Sequence, residues 1–186
     1  MPTDQRLRIS SNMELYWDRI FLAPLAHSAL SVQEAAVTQA DLHFLGYPKE
    51  FSSDGRLPKL YDYDSVDRMI PWKSMSGQYT RYGDVTELLD RADDCYVIMG
   101  PGEEITLRFS THAFSAVPRG FQRRFILKTD SFCKDMDLYT AHPDTVTPLP
   151  FHSMTQYPYD ANETYPQDLR HQTYRRQYNT RTVVGQ

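Results

Sequence analysis

The chain has 186 residues, enough for one large domain that hides roughly 70% of its unfolded surface without disulfide staples. Apolar content of 40%, charged content of 24% and a net charge of −4 are ordinary values, and they argue against a general binder of nucleic acid or anionic lipid. No run approaches the roughly 18 apolar residues that span a bilayer, and Met1–Arg8 is polar, so neither a membrane span nor a signal peptide is expected.

Arg6 to Ala23 opens the chain with a period of two through Leu7, Ile9, Met13, Leu15 and Trp17, which predicts one bent strand or two short ones. Val37 to Tyr47 is a second strand, with Leu42 and Phe44 alternating against Asp41 and His43, and Gly46-Tyr47-Pro48 stops it. Lys49 to Tyr82 lacks sustained periodicity and reads as a long irregular insertion rich in Tyr, Asp, Ser and Pro. Asp84-Val85-Thr86-Glu87 has the form of a capping box and predicts a helix from Val85 to about Ala92 that buries Val85, Leu88 and Leu89.

A hairpin is expected next, Tyr96–Met99 against Glu104–Phe109 across Gly100-Pro101-Gly102, with Ile105, Leu107 and Phe109 facing inward. Arg123 to Phe132 is a further strand candidate. After Asp137 the pattern collapses into a tail that holds six of the thirteen Tyr and five of the twelve Pro. These elements predict a mainly β chain, an antiparallel β-sandwich of jelly-roll or galactose-binding type with one short helix; an α+β sheet is the alternative. The sandwich core occupies residues 1–138 with the insertion at 49–82, and residues 139–186 are an extended tail packed on that core or on a partner.

Two groups of residues carry candidate chemistry. Tyr61, Tyr63, Trp72, Tyr79 and Tyr82 would form a stacking platform for sugars or protein side chains if exposed, with Asp62, Asp64 and Asp67 as acceptors; buried, they would pin the insertion to a sheet. Asp135-x-Asp137 has a spacing found in calcium loops without the Gly and Glu of an EF-hand, and His142-x-Asp144 with His152 offers ligands for zinc or iron. Against the metal stands the ordinary role of such side chains in turns and caps. No GxSxG, HExxH or phosphate loop occurs. Cys95 and Cys133 suit either one disulfide or two inert thiols. Asn162-Glu163-Thr164 is a weak glycosylation sequon, and the end of the chain, with Arg170, Arg175, Arg176 and Arg181 and no acid, could dock on an acidic partner.

The runs Arg8–Asp18, Tyr79–Val85, Val97–Glu104, Lys134–Asp137 and Tyr139–His152 resemble the C-terminal region of large bacterial proteins that carry FG-GAP and ASPIC/UnbV-type repeats, sometimes with tetratricopeptide repeats. The resemblance implies an extracytoplasmic setting, propeller-like repeats elsewhere in the relatives, and a C-terminal region without an assigned catalytic role. The repeats are absent from this chain, so it corresponds to a separated C-terminal domain or a fragment.

Three functions follow as expectations. The first is a non-catalytic accessory module that contacts a glycan or a protein surface and needs no cofactor. The second is a metal-dependent enzyme built on His142, Asp144 and His152, with Asp130 or Asp135 as base. The third is an assembly role, with the tail docked on another domain or subunit.

Overall fold

The computed structural model describes residues 32–185 except 58, 70, 71, 111 and 113. The chain divides into Met1–Val32 and Gln33–Gln186, and every described strand and helix belongs to the second unit. The expected strand at Arg6–Ala23 lies outside the described residues.

Strand β1 (Val37–Phe44) is followed by β2 (Tyr47–Phe51), β3 (Leu60–Asp67), β4 (Gly77–Tyr79) and β5 (Gly83–Asp84). A 3₁₀ turn (Thr86–Leu89), β6 (Glu103–Phe109), helix α1 (Leu169–Tyr178) and β7 (Arg181–Val183) complete the order. Among the described residues all strand pairs are antiparallel, in a three-stranded sheet β5-β1-β6 and two two-stranded sheets, β2-β3 and β4-β7. The described chain is therefore mainly β with small antiparallel sheets and one α-helix.

Strand β1 forms where the alternation predicts it. Ala40 and Leu42 are wholly buried while Asp41 and His43 lie on the opposite face. The chain turns from it into β2 at Gly46, whose φ of +114° and tight neighbours admit no side chain: a Cβ there would stand 2.6 Å from Val66 Cγ1.

Two apolar clusters hold the unit together. One gathers Ala40, Leu42, Val85, Leu88, Cys95, Tyr174 and Tyr178, with Ile105 and Leu107 against it. The other gathers Met75, Tyr79, Val146, Leu149, Phe151 and Tyr165, with Val183 against it. The segment Cys95–Ile98 runs between them: Cys95 and Val97 face the first cluster, Tyr96 and Ile98 the second.

That placement corrects the expected hairpin. Tyr96–Met99 alternates because both of its faces are covered, yet it is not a strand. Its main chain is held by Thr80 instead, whose N–H donates to the Ile98 carbonyl at 3.0 Å and whose hydroxyl accepts from the Ile98 N–H at 2.7 Å. A turn at Gly100 does form, with Glu103 N–H on the Gly100 carbonyl at 3.2 Å, but β6 leaves it to pair with β1. Ile105 and Leu107 pack inward as expected, whereas Phe109 is exposed.

The helix expected over Val85–Ala92 shrinks to the single 3₁₀ turn. Asp84 does not cap a helix, since its carboxylate accepts from the Thr86 N–H at 2.9 Å and from the Thr86 hydroxyl, and this Asx-type turn competes with α-helix formation. The insertion is less irregular than expected, because β2 and β3 form a hairpin within it. Arg123–Phe132 is not a strand and is exposed throughout. The C-terminal segment contains the α-helix, which the apolar pattern does not predict; it is capped by Asp168, whose side chain accepts from the His171 N–H at 3.1 Å.

Candidate functional site: an aromatic groove on the β2–β3 hairpin

The hairpin is built from residues that alternate. In β3, Tyr61 and Tyr63 stand two apart and therefore share a face, with ring centroids 6.3 Å apart. The register sets Glu50 opposite Tyr61 and Lys49 opposite Asp62, and shifts between Pro48 and Lys49. Lys59 reaches Glu50 across the ladder at 2.5 Å, and that carboxylate holds the ammonium above its ordinary value.

Tyr47 opens β2 and lies between two other rings, Phe44 edge-on at 6.3 Å and Trp72 tilted at 6.3 Å. Gly102 makes room for this stack. A Cβ there would stand 2.7 Å from the Phe44 ring and 3.2 Å from Tyr47, and its φ of +79° already favours glycine.

Together Tyr47, Tyr61 and Trp72 line an open groove of about 1020 Å³, with Lys49, Glu50, Lys59 and Asp67 along it. Trp72 is 62% exposed and Tyr61 50%. Flat aromatic faces flanked by ammonium and carboxylate groups can stack on the apolar face of a pyranose while the charged groups take its hydroxyls.

Of the five aromatic residues singled out by sequence, Tyr61, Tyr63 and Trp72 come to this hairpin region, and Tyr63 is exposed beside Tyr61 without lining the groove. Tyr79 and Tyr82 belong elsewhere. Tyr79 is 3% exposed and donates its hydroxyl to the Met75 carbonyl at 3.0 Å; burial pushes its titration up. Tyr82 donates to the Glu103 carboxylate at 3.0 Å. Glu103 grips Arg181 through both oxygens, at 2.7 and 2.9 Å, and the guanidinium lies over the Tyr82 ring at 4.3 Å and the Tyr79 ring at 5.2 Å. This cluster ties β6 to β7 and leaves Tyr79 no free face for a ligand. Tyr47, which lines the groove, is a residue the sequence pattern treats only as part of a strand stop.

The metal candidates do not assemble. Among the described residues no group of three or more His, Cys, Asp or Glu side chains is placed to hold an ion. His142 sits in a turn with φ +53° and is exposed. Asp144 pairs with Lys73 at 2.6 Å. His152 is held between Asp94 at 2.6 Å and Asp130 at 3.1 Å. Asp135 accepts a long contact from the Cys133 thiol at 3.6 Å, and Asp137 accepts from the N–H groups of Tyr139 and Thr140; the Thr140 hydroxyl first, and then these N–H groups, hold its carboxyl below the ordinary range. Turn-building and ion pairing claim these side chains separately. Cys95 is buried and Cys133 exposed, and both are free thiols; burial pushes the Cys95 thiol up, and partial desolvation at its base with the neighbouring Asp135 carboxylate does the same for Cys133, so neither has the activated character of a nucleophile.

Comparison with protein-family models, curated proteins and solved structures gave no match.

Proposed function

We propose that the chain is a non-catalytic binding module that holds a carbohydrate on the groove formed by Tyr47, Tyr61 and Trp72. The observation that carries this reading is the large exposure of Trp72 and Tyr61 on a common groove with charged neighbours. Exposed aromatic residues of this size are rarely left in a cluster without a contact to make. In this reading the small sheets are parts of a two-layer jelly-roll sandwich, and the module serves an extracytoplasmic repeat protein of the FG-GAP and ASPIC/UnbV type that its sequence runs resemble. A protein surface is the second ligand class that such a groove suits.

The test is a glycan array followed by calorimetric titration with the oligosaccharides retained, a readout that does not depend on Trp72 itself. Trp72→Ala and Tyr61→Ala should each weaken binding about tenfold or more, the equivalent of roughly 1.4 kcal/mol. A panel with no binder, or a binder unaffected by both substitutions, would sink the proposal. Tyr79→Phe serves as the control that leaves binding unchanged.

A further inference from the structure

Between the turn at Pro118 and Asp130 the chain has the composition of a strand and, among the described residues, none of a strand's bonds. Phe121 N–H donates to the Pro118 carbonyl at 3.1 Å, with Gly120 at φ +86° in the position where such a turn needs a left-handed residue. From Phe121 to Met136 no residue belongs to a helix or strand. Residues Phe121 to Cys133 are all exposed, Phe125 at 77% and Ile126 at 93%. The sequence nonetheless alternates as strands do, Phe121, Arg123, Phe125 and Leu127 against Gln122, Arg124, Ile126 and Lys128. Its near end is fixed: the Arg123 guanidinium donates to the Ser115 carbonyl at 2.5 Å and lies over the Phe114 ring at 5.1 Å.

We infer that Phe121–Lys128 receives an acidic strand of a partner protein, which pairs with it main chain to main chain. Unpaired N–H and C=O groups on a segment of β-forming residues are a template for another strand, and pairing satisfies them. Charge selects the strand. Arg119, Arg123, Arg124 and Lys128 fall in this stretch with no acid before Asp130, on a chain whose net charge is −4. A second copy is disfavoured by the same charges. Antiparallel self-pairing centred between Phe125 and Ile126 sets Arg123 opposite Lys128, and like charges directly opposed are destabilising. A lipid surface is disfavoured by the main chain, whose unpaired polar groups find no partner in hydrocarbon.

The experiment titrates the full chain into a fluorescein-labelled ten-residue peptide of alternating Glu and Val and reads fluorescence anisotropy. The expected result is saturable binding that weakens tenfold or more in the Arg123→Glu/Arg124→Glu variant, and again in Ile126→Pro, which removes one main-chain donor. Ile126 is almost fully exposed, so its substitution leaves the fold intact, and unchanged circular dichroism checks this. A peptide with alternate amide nitrogens methylated should not bind. The inference is overturned by absence of binding at millimolar peptide, or by equal binding of the methylated peptide. Equal binding by Ile126→Pro also overturns it, as does a dimer of the chain that this substitution dissolves. Preference for phosphatidylserine vesicles over the peptide would overturn it as well.

Discussion

A buried tyrosine needs what a buried phenylalanine does not, an acceptor for its hydroxyl. For three of the tyrosines the acceptors are main-chain carbonyls of segments that have no ladder of their own. Tyr174 donates to the Tyr96 carbonyl at 2.6 Å, Tyr165 to that of Asp94, and Tyr157 to that of Pro148 at 2.9 Å. Side-chain hydroxyls thus take the place of strand partners along Asp94–Ile98, and this accounts for part of the tyrosine excess.

His152 performs a similar task with charge. Its ring nitrogens face Asp94 and Asp130, and Asp94 also accepts from the Tyr96 hydroxyl at 2.9 Å. The bonds to Asp94 and Asp130 raise His152 above its ordinary 6.5. Burial alone would raise Asp94, but the bonds from His152 and Tyr96 outweigh it and hold the carboxyl below 3.8. The histidine's contribution is complete below pH 6.5 and is lost as pH rises through its folded value. That of Asp94 is present above 3.8 and is lost as pH falls through its own lowered folded value. Thermal melting from pH 6 to 9 should therefore fall by about 2–4 °C, the scale of an exposed pair worth at most about 1 kcal/mol. His152→Gln should flatten that decline; a variant with the same slope as the parent would remove the clamp from the account.

At the scale of elements, helix α1 differs from what its composition suggests. It buries His171, Tyr174 and Tyr178, spaced i, i+3 and i+7 along one face. These residues are polar enough that the face is hard to see as apolar in sequence, which is why periodicity gives no helix there. Tyr178 is pushed up to about 12 by burial and by the neighbouring Glu87. Strand β1 is legible because Leu42 and Phe44 alternate with Asp41 and His43, although Phe44 ends the strand exposed and Ala40 takes its place beside Leu42 in the core. Its partnership with β6 is not, because pairing across some sixty residues leaves no local mark, and the Gly-Pro-Gly turn points to the nearer segment. The β2–β3 hairpin escapes notice because Tyr61-Asp62-Tyr63-Asp64 alternates between two residue types that both count as polar. Tyr174→Ala should destabilise the fold by roughly 3–5 kcal/mol, the range for removing a large buried ring. Leu169→Ala, at an exposed position of the same helix, should fall within about 0.5 kcal/mol of the parent. Urea denaturation measures both, and equal effects would mean that the helix does not dock through the face that carries Tyr174.

Over the molecule as a whole, the residues that stabilise and the residues that present a surface are separate. Sequence spacing puts Tyr61, Tyr63 and Trp72 in one candidate cluster, but it cannot separate them from Tyr79 and Tyr82, because spacing does not report which aromatic ring a guanidinium covers. The structure draws that line at the hairpin. Neither β2 nor β3 contributes a buried residue, whereas both apolar clusters draw on residues beyond Asp137. Pro48 and Val66 are paired, so Lys49–Ser65 can be replaced by Asn-Gly, a two-residue turn that closes an antiparallel pair. That variant keeps Val66 against Gly46 and removes Tyr61, Lys59 and Glu50 from the groove. Its melting temperature should stay within about 4 °C of the parent, a loss of no more than about 1 kcal/mol, while carbohydrate binding disappears. A drop of more than about 10 °C, well beyond the shift that 1 kcal/mol produces, would place the hairpin in the folding core instead. Retained binding would move the ligand site off the groove.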